Sequence, residues 1–345
     1  MAVSNEAALK EKLKKSPLGA YLIYGTEDYL KKVYVDKIVK MTVDDSFAEF
    51  NLHRIDGKES TLGEVYECVE AFPMMSDSTC VVVTDMQLDA LDGDEMKMLE
   101  EMVADVPETC ALVFYMQTVN VTPSKWKNII SLFEEHGLAV NLTEKEPADI
   151  VKTLENAAKK RNVPFDNGAA RYLVECVGSD LNTLHNELEK LCAYASGRSI
   201  ARADIDAVCS KSLEAKAFDI MRALHSGNFE TAMKKLSAVI EQREDPIMLL
   251  GAFISSYMDI YRAKAAVISG FQETKVAEYY DYKKKEFRLR NALRDSKGLS
   301  LAAIYKCLDI LAEADALLKG SDVDKVLVLE QTLAKLALAE GEGRR

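Results

Sequence analysis

The stretch Tyr21-Leu-Ile-Tyr-Gly-Thr-Glu-Asp-Tyr-Leu30 opens with four apolar residues, is cut by a glycine, and passes through two carboxylates into helical spacing over about residues 29–41. A short apolar run stopped by glycine and followed by amphipathic spacing predicts a buried strand that feeds a helix. The same unit recurs outward along the chain. Phe50-Asn-Leu-His-Arg-Ile55 reads as a second strand, stopped by Asp56-Gly57, with a helix from Leu62 to Val69 behind it. Cys80-Val-Val-Val-Thr84 reads as a third strand, followed by a charged helix around 95–103. Ala111-Leu-Val-Phe-Tyr115 is a fourth, followed by a helix over about 124–135, and Leu138-Ala-Val-Asn-Leu142 is a fifth. Five strands alternating with helices predict βαβ units in a mainly parallel sheet covered on both faces.

Past Thr143-Glu-Lys-Glu-Pro147 the character changes and helical spacing takes over. Leu181, Leu184, Leu188 and Leu191 recur at steps of three and four, with Asp180 placed as an N-cap and Gly197 just beyond the end. Further helices are punctuated by Gly227-Asn228, Asp245-Pro246, Ser269-Gly270 and Gly320-Ser321. The expected organisation is an α/β domain over 1–145, a small helical domain over 146–211 and a larger helical domain over 212–345.

Composition narrows the classes. At 345 residues, 48% hydrophobic and 29% charged, the chain is neither a disulfide miniprotein nor a low-complexity or fibrous chain. Its most apolar run, Ile247-Met-Leu-Leu-Gly-Ala-Phe-Ile254, is far short of the roughly 20 residues that a bilayer helix needs. The N-terminus has no basic region leading into an apolar one, so neither a secretory signal nor a membrane partner is expected. Seven cysteines at 68, 80, 110, 176, 192, 209 and 307 form no CxxC pair, and four histidines form no HExxH, so free thiols in a reducing cytoplasm and no metal site are expected. The net charge of −12 is unevenly spread: residues 1–211 carry 23 basic against 36 acidic side chains, and 212–345 carry 21 against 20. An acidic body is a poor solitary nucleic-acid binder. The local exception is Lys283, Lys284, Lys285, Arg288, Arg290, Arg294 and Lys297, which reads either as a solvated basic face or as a stretch facing DNA.

A search for chemistry along the chain finds no catalytic constellation. In an open parallel sheet, ligands bind beyond the carboxyl ends of the strands. The loop there, Gly25, Thr26, Glu27 and Asp28, has one glycine, no lysine before Lys31, and two carboxylates that repel polyphosphate. It lacks the GxxxxGK[ST] pattern of a working phosphate loop. Glu27 and Asp28 instead suit the N-terminus of the following helix. Val81-Val-Val-Thr-Asp-Met86 ends in an acid that an ATPase could use for metal, but Met86 stands where a water-orienting acid is needed, so Asp85 reads as a structural cap. GxSxG and GxGxxG patterns are missing, and no cofactor is expected. Ala71-Phe-Pro-Met-Met-Ser-Asp77 has two adjacent methionines after a proline, which either tuck into the core or form an adaptable apolar plug.

Taken in order, these blocks resemble the delta-subunit family of the bacterial DNA polymerase III clamp loader. The carriers are Tyr21 to Leu30, Asn51-Leu-His-Arg-Ile-Asp-Gly57, Ala71 to Asp77 and Val81 to Asp85. Val177-Gly-Ser-Asp-Leu-Asn-Thr-Leu-His-Asn-Glu-Leu-Glu-Lys-Leu191 and Ala217-Phe-Asp-Ile-Met-Arg-Ala-Leu-His-Ser-Gly-Asn228 continue the match, which runs over about 20–335. The resemblance implies an AAA+-type parallel α/β domain with a degenerate P-loop, a small helical lid and a C-terminal helical collar. It implies a non-hydrolysing subunit that binds and opens the sliding clamp, the beta subunit, for loading on primed DNA. Its implied partners are the motor subunits gamma/tau and delta prime. The family's clamp-binding apolar pair falls on Met74 and Met75, beside Pro73; Met-Met departs from the family's frequent Leu-Phe or Phe-containing pair. The alternative is a stand-alone nucleic-acid-binding regulator with a degenerate AAA+ domain, resting on the basic 283–297 stretch.

Overall fold

Runs of valine and other apolar residues in short segments build a parallel sheet in the first part of the chain, because β-branched side chains pack well on a pleated surface buried on both sides. The computed structural model describes residues 5–282, 287–320 and 323–343, and the chain divides into two compact units at Lys145 and Glu146. The first unit begins with α1 (Glu6–Lys15), capped by the Asn5 side chain, which accepts from the N–H groups of Ala7 and Ala8. Then follow β1 (Gly19–Tyr24), α2 (Asp28–Thr42), α3 (Ala48–Asn51), β2 (Leu52–Asp56), α4 (Leu62–Val69), β3 (Thr79–Thr84), α5 (Gly93–Ala104), β4 (Cys110–Tyr115), α6 (Lys127–His136) and β5 (Leu138–Asn141). Every pairing is parallel, in the order β2-β3-β4-β1-β5, with Leu22 opposite Phe114 and Val81 opposite Leu112.

The alternation of side chains along each strand divides the core into two layers. Leu22, Tyr24, Val81, Val83, Leu112 and Phe114 pack with Leu62, Val65, Leu99, Met102, Ile129 and Phe133 of α4, α5 and α6. The intervening residues, among them Tyr21, Ile23, Val82 and Val113, are equally buried on the opposite face, where α2 approaches β3 and β4. Thr61 with Glu64, and Asp92 with Glu95, form reciprocal capping boxes that start α4 and α5.

Three local expectations differ from the structure. The ten-residue α1 has no counterpart among the expected elements, because its buried apolar positions reduce to Leu9 and Leu13 amid lysines and glutamates. Phe50 and Asn51 close a short helix instead of opening β2; pairing with β3 starts only at Leu52 opposite Cys80, because the helix runs through Asn51 and the Leu52 N–H still bonds the Ala48 carbonyl. The helix expected from about residue 124 begins at Lys127, after a turn in which the N–H groups of Lys125 and Trp126 both bond the Thr122 carbonyl and Trp126 is buried.

The second unit is helical. It comprises α7 (Pro147–Lys160), α8 (Ala169–Val177), α9 (Leu181–Ala195), α10 (Arg202–Val208), α11 (Leu213–His225), α12 (Phe229–Glu241), α13 (Pro246–Ile268), α14 (Phe287–Asp295), α15 (Leu301–Gly320) and α16 (Lys325–Gly343). Helices α7 to α10 pack among themselves, with a parallel bridge between Phe165 and Ile200. Asp180 caps α9 by accepting from the Thr183 N–H, and the chain leaves that helix through left-handed Ser196 and Gly197. Leu181, Leu184, Leu188 and Leu191 are all buried. Helices α11, α12, α13, α15 and α16 share one core, including Ile220, Leu236, Leu250, Phe253, Leu311, Leu329 and Leu336.

Candidate functional site

Two segments of the first unit stand out, and the parallel sheet separates them. The segment between α4 and β3 lies at the amino ends of the strands, whereas the loop after β1 lies at the carboxyl ends. A six-residue strand at about 3.3 Å per residue puts roughly 20 Å between them.

After α4, the Glu70 N–H makes the last helical bond, to the Tyr66 carbonyl, and Pro73 three residues on prevents any resumption of the helix. Three large apolar side chains then face solvent within four residues: Phe72 is 90% exposed, Met74 55% and Met75 81%, with Pro73 half-buried between them. Met75 is held at φ +55°, a left-handed conformation that a residue with a Cβ adopts at a cost of roughly 1–2 kcal/mol. The fixing contacts come from the interior. The Asn51 carboxamide bonds both backbone groups of Met74, and the Ser78 hydroxyl donates to the Thr42 carbonyl at 2.5 Å. The methionines are therefore not core residues. Sequence reading did not single out Phe72; its place in the same extended segment, directly before Pro73, was the available signal.

At the carboxyl ends, Gly25 turns the chain out of β1 at φ +119°, where an added Cβ would lie 2.2 Å from the Leu142 carbonyl oxygen. Glu27 sits at the N-cap position of α2, but its side chain makes no capping hydrogen bond; its backbone N–H bonds the Leu142 carbonyl at 3.0 Å. Asp28 pairs instead with Lys31 at 2.9 Å. The expectation of side-chain capping by Glu27 therefore fails, because the chain enters α2 through backbone contact with the end of β5. Lys31 is the residue that sequence reading passed over. Its spacing from Gly25 is that of the phosphate-loop lysine, with Leu30 where that motif has its second glycine and Lys32 where it has serine or threonine. Lys31 is only 2% exposed, and its ammonium donates to the carbonyls of Met116 (2.8 Å) and Gln117 (3.1 Å).

The same 116–119 loop is held from its other side by Asp85. One carboxylate oxygen accepts from the N–H groups of Gln117 (2.7 Å), Thr118 (2.8 Å) and Val119 (3.2 Å), and the other from the Thr118 hydroxyl (2.5 Å). Lys58 reaches both Asp85, at 3.2 Å, and Thr118. Burial works to raise the Asp85 pKa, but the Thr118, Val119 and Lys58 contacts outweigh it and bring the carboxyl down to about 2. Lys31, Asp85 and the loop after β4 thus satisfy one another where a nucleotide hydrolase would present such groups to phosphate and metal.

The basic stretch is only partly within the described residues: Lys283, Lys284 and Lys285 lie outside them. Arg288 bonds Asp259 (2.7 Å) and the Ser255 hydroxyl (2.8 Å), so it ties α14 to α13, while Arg290 is exposed. All seven cysteines are free thiols, and burial pushes Cys80 and Cys307 up to about 12. Among the described residues no three His, Cys, Asp or Glu side chains are grouped to hold a metal, and no helix is long and apolar enough to cross a membrane.

A five-stranded parallel α/β scaffold with a helical unit following it in sequence, its β1–α2 lysine bonded to the loop after β4, defines the class. Within it, the chain belongs to the DNA polymerase III delta-subunit family. The family model for the DNA polymerase III delta subunit matches residues 21–158, and the model for that family's C-terminal domain matches residues 214–336. The chain is 25% identical over 328 residues to DNA polymerase III subunit delta of Bacillus subtilis, covering 92% of each chain. Over 153 residues it is 27% identical to the "Probable DNA polymerase III subunit delta" of Aquifex aeolicus, covering 42% of this chain and 44% of that one. The structure of the Bacillus subtilis DNA clamp loader delta protein superposes with a TM-score of 0.64 at 23% identity, covering 96% of this chain and 98% of that one, and so shares its fold.

Proposed function

We propose that this clamp-loader subunit binds the beta sliding clamp through Phe72, Pro73, Met74 and Met75 and holds it open for loading on primed DNA, without hydrolysing ATP. The observation that carries the reading is the exposed apolar trio on a backbone fixed from the interior. Solvent exposure of three large apolar side chains is unfavourable for an isolated chain and becomes favourable when a partner buries them, at roughly 1.5–3 kcal/mol per side chain. Clamp opening then follows from differential affinity: a ligand shifts a closed–open equilibrium only by binding the open form more tightly. ATP acts on the motor subunits gamma/tau, which with delta prime complete the ring. Residues 146–211 serve as the lid and 212–345 as the collar that joins the subunits, in the cytoplasm.

The test is the doubly substituted Met74→Ala/Met75→Ala protein. Its affinity for the clamp should fall by roughly 30- to 1,000-fold, since a few central anchors dominate an interface. The melting temperature should stay nearly unchanged because neither side chain is buried. Undiminished clamp binding would overturn the reading.

A further inference from the structure

Asn51 is fully buried, at 0% exposure, yet its carboxamide serves the exposed segment. Its Nδ2 donates to the Met74 carbonyl at 2.8 Å and to the Phe47 carbonyl at 3.0 Å, and its Oδ1 accepts from the Met74 N–H at 2.8 Å. We propose that Asn51 is the positioning residue of the clamp-binding segment: a side chain that pairs with both backbone groups of Met74 and so holds Phe72, Met74 and Met75 outward in their binding arrangement. The proposal rests on the clamp-binding reading of that segment.

The chemistry follows from what a strandless segment needs. Residues 71–78 belong to no helix or strand, so the backbone of Met74 has no ladder partner. Backbone polar groups turned inward must still be paired. A primary amide carries a donor and an acceptor on one planar group, and can therefore close a two-way pair with a single residue. Aspartate lacks the donor and leucine lacks both. The partners also dictate the orientation of the amide, since two carbonyls face its nitrogen and one N–H faces its oxygen. Asn51 is placed for this by its own neighbours: it ends α3, its backbone continues directly into β2, and β2 pairs with β3, the strand into which the segment runs. On the far side of Met75, the Ser78 hydroxyl bonds the Thr42 carbonyl. The left-handed Met75 thus lies between two fixed points, and the apolar side chains are presented already ordered, which lowers the entropy lost on binding.

Asn51→Ser separates positioning from general support. A serine hydroxyl can still bond the carbonyl four residues back, at Phe47, but is too short to reach Met74. With the full-length chain and a purified beta sliding clamp, Asn51→Ser should weaken binding roughly 5- to 30-fold, as expected from losing two hydrogen bonds that order the bound form. The Met74 amide should lose protection from hydrogen exchange while the β3 amides keep theirs. In the Met74→Ala/Met75→Ala background the same substitution should have a markedly smaller further effect on clamp affinity, because only Phe72 is then left for Asn51 to position. Unchanged affinity of Asn51→Ser, or an equal loss in the double-alanine background, overturns the proposal. If the double-alanine protein itself binds the clamp normally, the clamp-binding reading falls and this one with it. Should Asn51→Ser not fold, Asn51→Thr, which keeps the short hydroxyl, adds a methyl to the vacated space and likewise cannot reach Met74, is carried through the same cycle with the same outcomes.

Discussion

At Phe72 the side chain is almost wholly in solvent, next to a proline that keeps the chain extended. Its removal costs the folded protein almost no buried contact. Phe72→Ala should therefore leave thermal unfolding unchanged and lower clamp affinity about 10-fold or more, in keeping with aromatic anchors at interfaces, as measured by equilibrium binding. Asp85 makes the opposite prediction. It is buried, strained at φ +57° and bonded to three successive N–H groups, so Asp85→Asn should cost stability of about 1–3 kcal/mol at neutral pH. The carboxyl titrates at about 2 in the fold against an ordinary 3.8, so its contribution is complete above that ordinary value and is lost as pH falls through about 2. Urea unfolding of the two proteins at neutral and acid pH should show the gap closing in acid.

Among the helices, α16 is fixed by a polar contact buried in an otherwise apolar core. The Glu340 carboxylate bonds His225 Nδ1 of α11 at 2.6 Å and accepts from the Tyr257 hydroxyl of α13 at 2.6 Å, and Tyr257 stacks edge-on against His225 at 5.4 Å. Burial, with the neighbouring Glu340 carboxylate, raises the Tyr257 hydroxyl well above its ordinary value, so it stays a donor. Glu340→Ala removes the buried carboxylate that joins α16 to α11 and α13. It should cost about 2–4 kcal/mol and release the α16 amides to hydrogen exchange before those of the sheet. The spacing of Leu181, Leu184, Leu188 and Leu191 made α9 readable in advance, whereas nothing in the local pattern around Glu340 marked it as a core residue, since its partners lie 83 and 115 residues away.

For the molecule as a whole, the proposed clamp-binding segment and the loop after β1 lie at opposite ends of one sheet. The full-length chain should show no appreciable ATP binding by calorimetry, because Lys31 is already held by two carbonyls and Asp28. Micromolar ATP affinity would contradict that arrangement. Met74→Ala/Met75→Ala should still assemble with the motor subunits, as read by gel filtration of the reconstituted loader, because the proposed collar over residues 212–345 lies outside the segment that is changed.

The sequence by itself determined the five strands and the longer helices between them, because the 2.0 and 3.6 periodicities are written locally in apolar spacing. It also showed that the loop after β1 lacks the GxxxxGK[ST] pattern, and that Met74 and Met75 are unusual between a helix and a strand. Only the tertiary structure decided whether those methionines face the core or the solvent, since a continuous Phe-Pro-Met-Met run has no period to separate the two. Lys31 shows the same limit: the sequence contains the lysine, but its partners at 116 and 117 meet it only when β4 lies beside β1. Asn51 reads locally as part of a strand, yet it ends a helix, and its side chain meets the Met74 backbone 23 residues away. Long-range hydrogen bonds carry no periodicity, and they are formed only once the sheet has brought distant residues together.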